Sequence, residues 1–137
     1  LAALTDTNTN GITQGDMLYW NGTDWVPTRS PIIWWELNAT GNADYNVTGP
    51  GFAGTVNDPI FYVYRGFTYA FDNSIQGGGH PFRIQSTQGL AGTVYTAGQT
   101  GSGTSVLYWT VPMDAPTTLY YQCTLHANME GIINVVS

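Results

Sequence analysis

Three side chains that bind soft metals follow one another at intervals of three residues near the end of the chain: Cys123, His126 and Met129. The only other histidine, His80, lies far upstream. Two imidazoles and a thiolate suit copper in a trigonal plane, and a thioether can supply the long axial contact of a blue-copper site. A chain that completes this site must fold so that His80 arrives from a distant strand.

The composition is typical of a protein made of strands and turns. Of the 137 residues only 9% are charged, lysine is absent, and Gly, Thr, Asn and Tyr are abundant. The net charge is −6, so the chain lacks the positive surface that phosphate binding needs, and we expect no nucleic-acid partner. No apolar run approaches the ~20 residues that cross a bilayer, so we expect no membrane partner.

Alternating apolar residues separated by turn clusters predict seven strands after residue 31. Gly77-Gly78-Gly79 is one such cluster. Short strands with this punctuation predict an all-β fold, an antiparallel β-sandwich with Greek-key connections. The predicted strands are Ile33–Leu37, Phe61–Tyr64, Phe67–Phe71, Phe82–Gln85, Val106–Val111, Leu119–Cys123 and Ile132–Val136.

The composition shifts near residue 30, which divides the chain into residues 1–30 and 31–137. In the first segment, Met17–Trp20 and Trp25–Val26 are predicted as short strands. Asn21-Gly22 between them is a strong signal for a hairpin with a type I′ turn, because both residues tolerate positive φ. A single hairpin is marginal in water, so it must lean on the main domain or on another copy.

The second segment carries motifs of a known family: Gly79-His80-Pro81-Phe82 after a Gly-rich loop, Val111-Pro112, and Tyr120-Tyr121-Gln122-Cys123 before the ligand loop. From Phe61 to Val136 the chain resembles a cupredoxin, with the short Cys-x-x-His-x-x-Met loop of the amicyanin type. The resemblance implies a Greek-key β-sandwich that holds one type 1 copper ion. By position, it implies equatorial ligands at His80, Cys123 and His126 and an axial ligand at Met129.

Position 81 departs from the family, because many cupredoxins have Asn after the first histidine ligand and this chain has Pro81. Proline has no backbone N–H and no polar side chain to join the two ligand loops. The contacts that support the ligands must therefore differ.

Each of these residues also has an ordinary explanation. Cys123 alone would be a small buried hydrophobe, Met129 a core filler, and either histidine a satisfied or exposed one. The spacing and the Gly-rich entry to His80 together favour copper over a vestigial site or a site for another soft metal.

Other chemistries find little support. Once both histidines are assigned to copper, the serines lack a histidine–carboxylate set, and Glu36 and Glu130 have no evident acid–base partner. A metal with no open coordination position also argues against catalysis, so we expect no enzyme. The aromatic content favours cores and interfaces, although an exposed Trp34-Trp35 would serve as a sugar platform. Three acidic residues lack the dense spacing of a calcium loop and are assigned to turns: Asp6, Asp16 and Asp24.

The first segment contains Leu4-Thr5-Asp6-Thr7-Asn8 and, from Gly15 to Pro27, the pattern Gly-Asp-x-Leu-x-Trp-Asn-Gly-x-x-Trp-x-Pro. This pattern resembles a short motif of bacteriophage tail fibres and similar virion appendages. Such motifs sit in trimeric shafts ahead of a terminal domain. The resemblance implies a cupredoxin-like head displayed on a fibre.

Two hypotheses follow. The preferred one is a virion or surface structural protein of the phage fibre or decoration type. It would be a homo-oligomer, with a trimer favoured, that contacts other virion proteins or a host-surface receptor in the virion or outside the cell. The alternative is a soluble blue-copper electron carrier, located in the periplasm, with His126 as the electron exit. Electron carriers rarely need a Trp-rich hairpin, so the structural-protein hypothesis is placed before the electron-carrier hypothesis.

Overall fold

The computed structural model describes residues 17–20, 22–23, 25–28 and 32–137. The chain divides into two compact units, Leu1–Pro31 and Ile32–Ser137. All regular structure in the described residues is β-strand, so the all-β prediction is confirmed. In the same residues, no helix has the length and apolar character needed to span a membrane.

The first unit contains an antiparallel hairpin of β1 (Met17–Trp20) and β2 (Trp25–Thr28). Both predicted strands are present, and they pair as the predicted hairpin. Trp20 pairs with Trp25, so residues 21–24 connect the strands. Gly22 has a φ of 101°, which glycine adopts without strain. The Asn-Gly signal therefore marked a position that tolerates positive φ, and did not set the length of the loop.

The second unit consists of two sheets with the strand orders β5-β4-β3-β7-β10-β9 and β6-β12-β11-β8. All seven predicted strands are present, and three further short strands, β4, β5 and β9, were not predicted. The strands are β3 (Ile32–Ala39), β4 (Tyr45–Thr48), β5 (Val56–Asn57), β6 (Phe61–Tyr64), β7 (Thr68–Asp72), β8 (Phe82–Gln85), β9 (Gln99–Gly101), β10 (Val106–Thr110), β11 (Thr118–Cys123) and β12 (Glu130–Val136).

Both sheets are mixed, which corrects the prediction of an antiparallel sandwich. β3 runs parallel to β7, and β6 runs parallel to β12. Parallel neighbours need a long crossover, and β3 reaches β7 only after the chain has passed through β4, β5 and β6. Apolar alternation shows which face of a strand is buried, but it does not give the direction of its neighbour.

The two sheets pack through a core of aromatic rings. Trp35 of β3 lies 4.7 Å from Phe61 of β6, and Phe61 lies 5.2 Å from Phe71 of β7, between ring centroids. Phe71 stacks on Phe82 of β8 at 4.8 Å. These contacts join strands of different sheets, so the sandwich is confirmed. They also fix the start of β8, next to the predicted metal site.

Candidate metal centre

Cys123 is the last residue of β11 and lies on the inward face of that strand. Leu119, Tyr121 and Cys123 alternate inward and are fully buried. The following loop turns back at once, because the Cys123 N–H donates to the Met129 carbonyl at 2.8 Å and the Met129 N–H donates to the His126 carbonyl at 3.3 Å. The ligand loop is therefore a tight turn between β11 and β12.

His80, Cys123 and His126 come together as the sequence analysis predicted. Their donor atoms all lie within 4.8 Å of one another. The two Nδ1 atoms are 3.1 Å apart, and Cys123 Sγ lies 3.5 Å from His126 Nδ1. Metal–imidazole bonds of about 2.0–2.1 Å, the length found for zinc, allow two nitrogens at this separation to reach one ion. The residues fit a metal, and two imidazoles with a thiolate are the equatorial donors of a type 1 copper site.

The environment of His80 favours the neutral form that binds metals. Burial lowers the pKa of His80, and the neighbouring His126 lowers it further. Only 8% of the His80 surface is exposed, whereas His126 is half-buried. A neutral imidazole keeps a lone pair available for an ion, so no proton has to be displaced from His80 near neutral pH.

Met129 lies at the end of the ligand loop and is fully buried. Its carbonyl accepts a hydrogen bond from the Cys123 N–H, and its own N–H donates to the His126 carbonyl, so its backbone closes the loop. A buried methionine is also an ordinary core filler. The axial role of its thioether therefore stays a prediction that rests on the spacing.

One residue of its own loop and one residue from a distant strand hold His80 in place. The loop 73–81 connects β7 to β8, and the His80 carbonyl accepts hydrogen bonds from Asn73 Nδ2 at 2.7 Å and Tyr45 Oη at 2.8 Å. Burial, with Cys123 nearby, raises the pKa of Tyr45, so its hydroxyl remains a donor. The Asn73 oxygen Oδ1 is buried and has no hydrogen-bond partner among the residues that the structure describes.

A second loop lies directly against the His80 loop. Asn73 Nδ2 also donates to the Gly103 carbonyl at 2.8 Å, and the Phe82 N–H donates to the same carbonyl at 3.0 Å. A Cβ atom at Gly103 would collide with the Phe82 carbonyl oxygen, so only glycine fits there. This close backbone contact fixes the chain on the C-terminal side of His80.

Gln122 supports the ligand loop from beneath. It is fully buried, and its Nε2 donates to the carbonyls of His126 at 2.9 Å, Cys123 at 3.0 Å and, more weakly, Met129 at 3.3 Å. The sequence analysis assigned no role to Asn73 or Gln122. A glutamine next to the buried Cys123, on the opposite face of the strand, was the available signal.

At position 81, where many cupredoxins have Asn, the backbone of Pro81 joins the two loops. The Pro81 carbonyl accepts a hydrogen bond from the Thr124 N–H at 3.0 Å. This bond joins the His80 loop to the ligand loop, and it needs neither a side chain nor an N–H at position 81.

Aromatic residues cover the inner side of the site. Phe82 and Tyr121 are buried and stack with their centroids 5.5 Å apart. Trp109 is buried elsewhere in the core, where it donates to the Ala97 carbonyl at 3.0 Å and meets Tyr95 edge-on. On the outer side, Leu125 next to His126 is 59% exposed. The ligand loop thus has a dry inner side and an apolar outer rim.

The chain is similar to solved structures of rusticyanin. A methionine-to-glutamine variant matches with a TM-score of 0.47 and 18% identity, over 88% of this chain and 88% of that chain. A structure of the copper protein rusticyanin gives 0.48 and 19%, over 90% and 89%. Rusticyanin from Thiobacillus ferrooxidans gives 0.46 and 20%, over 90% and 88%. No protein-family profile and no curated protein matches the chain. At these low values the assignment of the site rests on its own donor atoms.

The fibre-like interpretation of the first segment finds no support. Much of the quoted motif, including Leu4 to Asn8, lies outside the described residues. The described part is the hairpin of β1 and β2, a motif common to many proteins. Nothing in the described residues favours the virion role or the homotrimer, whereas the clustered donor atoms of the second unit favour the blue-copper alternative.

Proposed function

We propose that this chain is a type 1 copper protein that transfers single electrons. The observation that carries the proposal is the convergence of one ring nitrogen each of His80 and His126 with Sγ of Cys123 within 4.8 Å. Copper bound there would supply a one-electron couple. In this proposal the three residues are the equatorial ligands and Met129 is the axial one.

The surrounding residues would keep the donor atoms in nearly the same place in both oxidation states. Asn73 donates to the carbonyl of His80, and Gln122 donates to carbonyls of the ligand loop, most closely those of His126 and Cys123. Phe82 and Tyr121 exclude water from the inner side. Fixed ligands and a dry environment tune the potential and limit reorganisation.

The proposal includes a redox partner protein that approaches at the half-buried His126, where the exposed Leu125 offers an apolar contact. It includes a periplasmic or extracellular location, no enzymatic activity, and no nucleic-acid or membrane partner. Light scattering on the full chain tests the remaining alternative. We expect a monomer, and a stable homotrimer would favour the fibre hypothesis.

An absorption spectrum after addition of Cu(II) tests the copper site. We expect an intense band near roughly 600 nm from copper–thiolate ligation, and a reversible one-electron couple in voltammetry. Cys123→Ala should abolish the band. A colourless chain that retains no copper after dialysis would contradict the proposal.

The axial role of Met129 needs its own control. Met113 is 75% exposed and serves as a matched methionine away from the predicted ligands. Met129→Gln should shift the absorption band and the potential, whereas Met113→Gln should change neither. Equal spectra for all three proteins would remove Met129 from the ligand set.

A further inference from the structure

The outer face of the larger sheet carries a polar cavity that the copper site does not use. Its volume is about 410 Å³, within the range of small-molecule sites. Glu36 pairs with Thr48, and Asn38 pairs with Asn46, so outward-facing residues of β3 and β4 form its floor. The lining residues are Glu36, Asn38, Thr40, Asn46, Thr48 and Thr55.

Part of this lining is already engaged in hydrogen bonds. Asn46 Oδ1 accepts from Thr40 Oγ1 at 3.1 Å, and Asn46 Nδ2 donates to Asn57 Oδ1 at 2.8 Å. Asn38 Oδ1 accepts from the Ala39 N–H at 2.8 Å. These bonds fix the two amides and therefore the shape of the floor.

The other polar groups of the lining remain available. Within the described part of the chain, the Glu36 carboxylate makes no hydrogen bond or ion pair. The same holds for the hydroxyls of Thr48 and Thr55 and for the amide NH₂ of Asn38. The cavity therefore offers a strong acceptor, a donor and two groups that can do either.

An exposed indole stands beside the cavity. Trp34 precedes Glu36 by two residues in β3 and so lies on the same face; it is 41% exposed. Tyr108 of β10 meets it edge-on, with centroids 5.8 Å apart at 74°. Ala70 of β7 pairs with both residues, and its small side chain lets the two rings meet across that strand. Trp35, the other half of the sugar platform considered from the sequence, is only 4% exposed and belongs to the core.

We infer that this cavity and Trp34 together bind a neutral saccharide. The C–H face of a sugar ring packs against an aromatic side chain, and its hydroxyls pair with carboxylate, amide and hydroxyl groups. Glu36 disfavours acidic sugars and phosphates, as does the net charge of −6. The arginines of the described residues are engaged elsewhere, Arg65 with Ala115 and Arg83 with Gln85. The inference does not depend on the proposed copper function.

Calorimetric titration of the full chain tests the inference. The probes are hexasaccharides of cellulose-type glucose, starch-type glucose, N-acetylglucosamine and mannose. We expect at least one to bind, and Trp34→Ala to lower its affinity by about tenfold or more. Glu36→Gln keeps the size of the side chain and should also weaken binding, because a charge-assisted hydrogen bond is lost.

Tyr62→Ala is the matched control, because Tyr62 is a 59% exposed aromatic residue of the smaller sheet. It should leave the affinity unchanged, and so should Cys123→Ser. Absence of binding by all four probes at millimolar concentration would overturn the inference. So would an equal loss of affinity in Tyr62→Ala, or tighter binding of an acidic hexasaccharide that Glu36→Gln does not alter.

Discussion

The two loops that meet at the metal centre are held in different ways. The ligand loop carries two of the three clustered donors, Cys123 and His126. Most of its bonds are local, because Met129 and Gln122 support it from within the same stretch, and one bond from the Thr124 N–H reaches the distant Pro81 carbonyl. The His80 loop carries one donor and depends on residues far away in sequence, among them Tyr45. The ligand loop is therefore specified by its own sequence, whereas the position of His80 is specified by the rest of the sandwich.

This difference leads to different expectations for mutations. Changes that weaken the support of His80 should lower the free energy of unfolding, because they break contacts between distant segments. Changes beneath the ligand loop should act more on copper binding than on stability.

The largest effect is expected for Gly103→Ala, because its Cβ would collide with the Phe82 carbonyl oxygen and force the backbone apart. We expect a loss of about 3 kcal/mol in the free energy of unfolding, measured by urea denaturation of the metal-free protein. Gly78→Ala is the control, since a Cβ at Gly78 meets nothing within 4 Å. Equal stabilities of the two variants would refute the close contact at Gly103.

Asn73→Ala is expected to be next in size. It removes hydrogen bonds to the His80 and Gly103 carbonyls, at about 1 kcal/mol each, so the free energy of unfolding should fall by about 2 kcal/mol. Asn57→Ala removes an exposed bond to Asn46 and should change stability far less. Denaturation curves that coincide for the two variants would show that the bonds of Asn73 do not stabilise the fold.

Gln122→Ala should separate stability from metal binding. Its bonds join residues close in sequence, so little loop entropy is at stake and we expect a loss of about 1.5 kcal/mol. Copper affinity, measured by competition with a chelator, should fall about 10–100-fold because the loop carbonyls lose their support. Gln88→Ala, at an exposed glutamine bonded to Glu130, should leave the affinity unchanged. The comparison of the two loops fails if Asn73→Ala weakens copper binding more, and lowers the free energy of unfolding less, than Gln122→Ala does.

The smallest effect is expected for the pH dependence of stability. It concerns Asp58, which accepts a hydrogen bond from the N–H of Tyr45, the residue whose hydroxyl donates to the His80 carbonyl. Burial raises the pKa of Asp58 to about 7, although the Tyr45 N–H that it accepts lowers it and Asp44 raises it further. The folded chain therefore keeps a proton that the unfolded chain releases above its ordinary pKa of 3.8. This stabilisation is complete below pH 3.8 and is lost as the pH rises to about 7.

Because Asp58 is half-exposed and screened by solvent, we expect a change of about 1 kcal/mol across this range. Asp58→Asn keeps an acceptor for the Tyr45 N–H and should reduce the slope of stability against pH. Urea denaturation at several pH values measures it. If the slope of the free energy of unfolding against pH is the same in Asp58→Asn, Asp58 is not the cause of the pH dependence.

The sequence predicted what depends on local pattern. Strong alternation of apolar residues located seven strands, and the spacing of Cys123 and His126 located the ligand loop. The short strands β4, β5 and β9 were not predicted, because they are two to four residues long and partly polar. The parallel direction of β6 and β12 escaped because alternation does not encode the direction of a neighbour.

The residues that hold the metal ligands in place could not be predicted from sequence patterns. Asn73 and Gln122 act through backbone carbonyls, and which carbonyls a buried amide reaches depends on the folded chain. The contact at Gly103 depends in the same way on two loops that are distant in sequence. Trp34 and Trp35 have different roles because successive side chains of a strand point to opposite faces, so Trp34 is exposed and Trp35 is buried in the core.

The position of β12 has a consequence for the order of events in the cell. This strand follows the ligand loop directly and lies between β6 and β11. On the ribosome, its neighbours leave the exit tunnel before it does, and the smaller sheet cannot close until Val136 has followed. Pairing with a strand so distant in sequence is slow compared with hairpin formation. Copper, bound as proposed, would therefore be loaded after β12 has been translated.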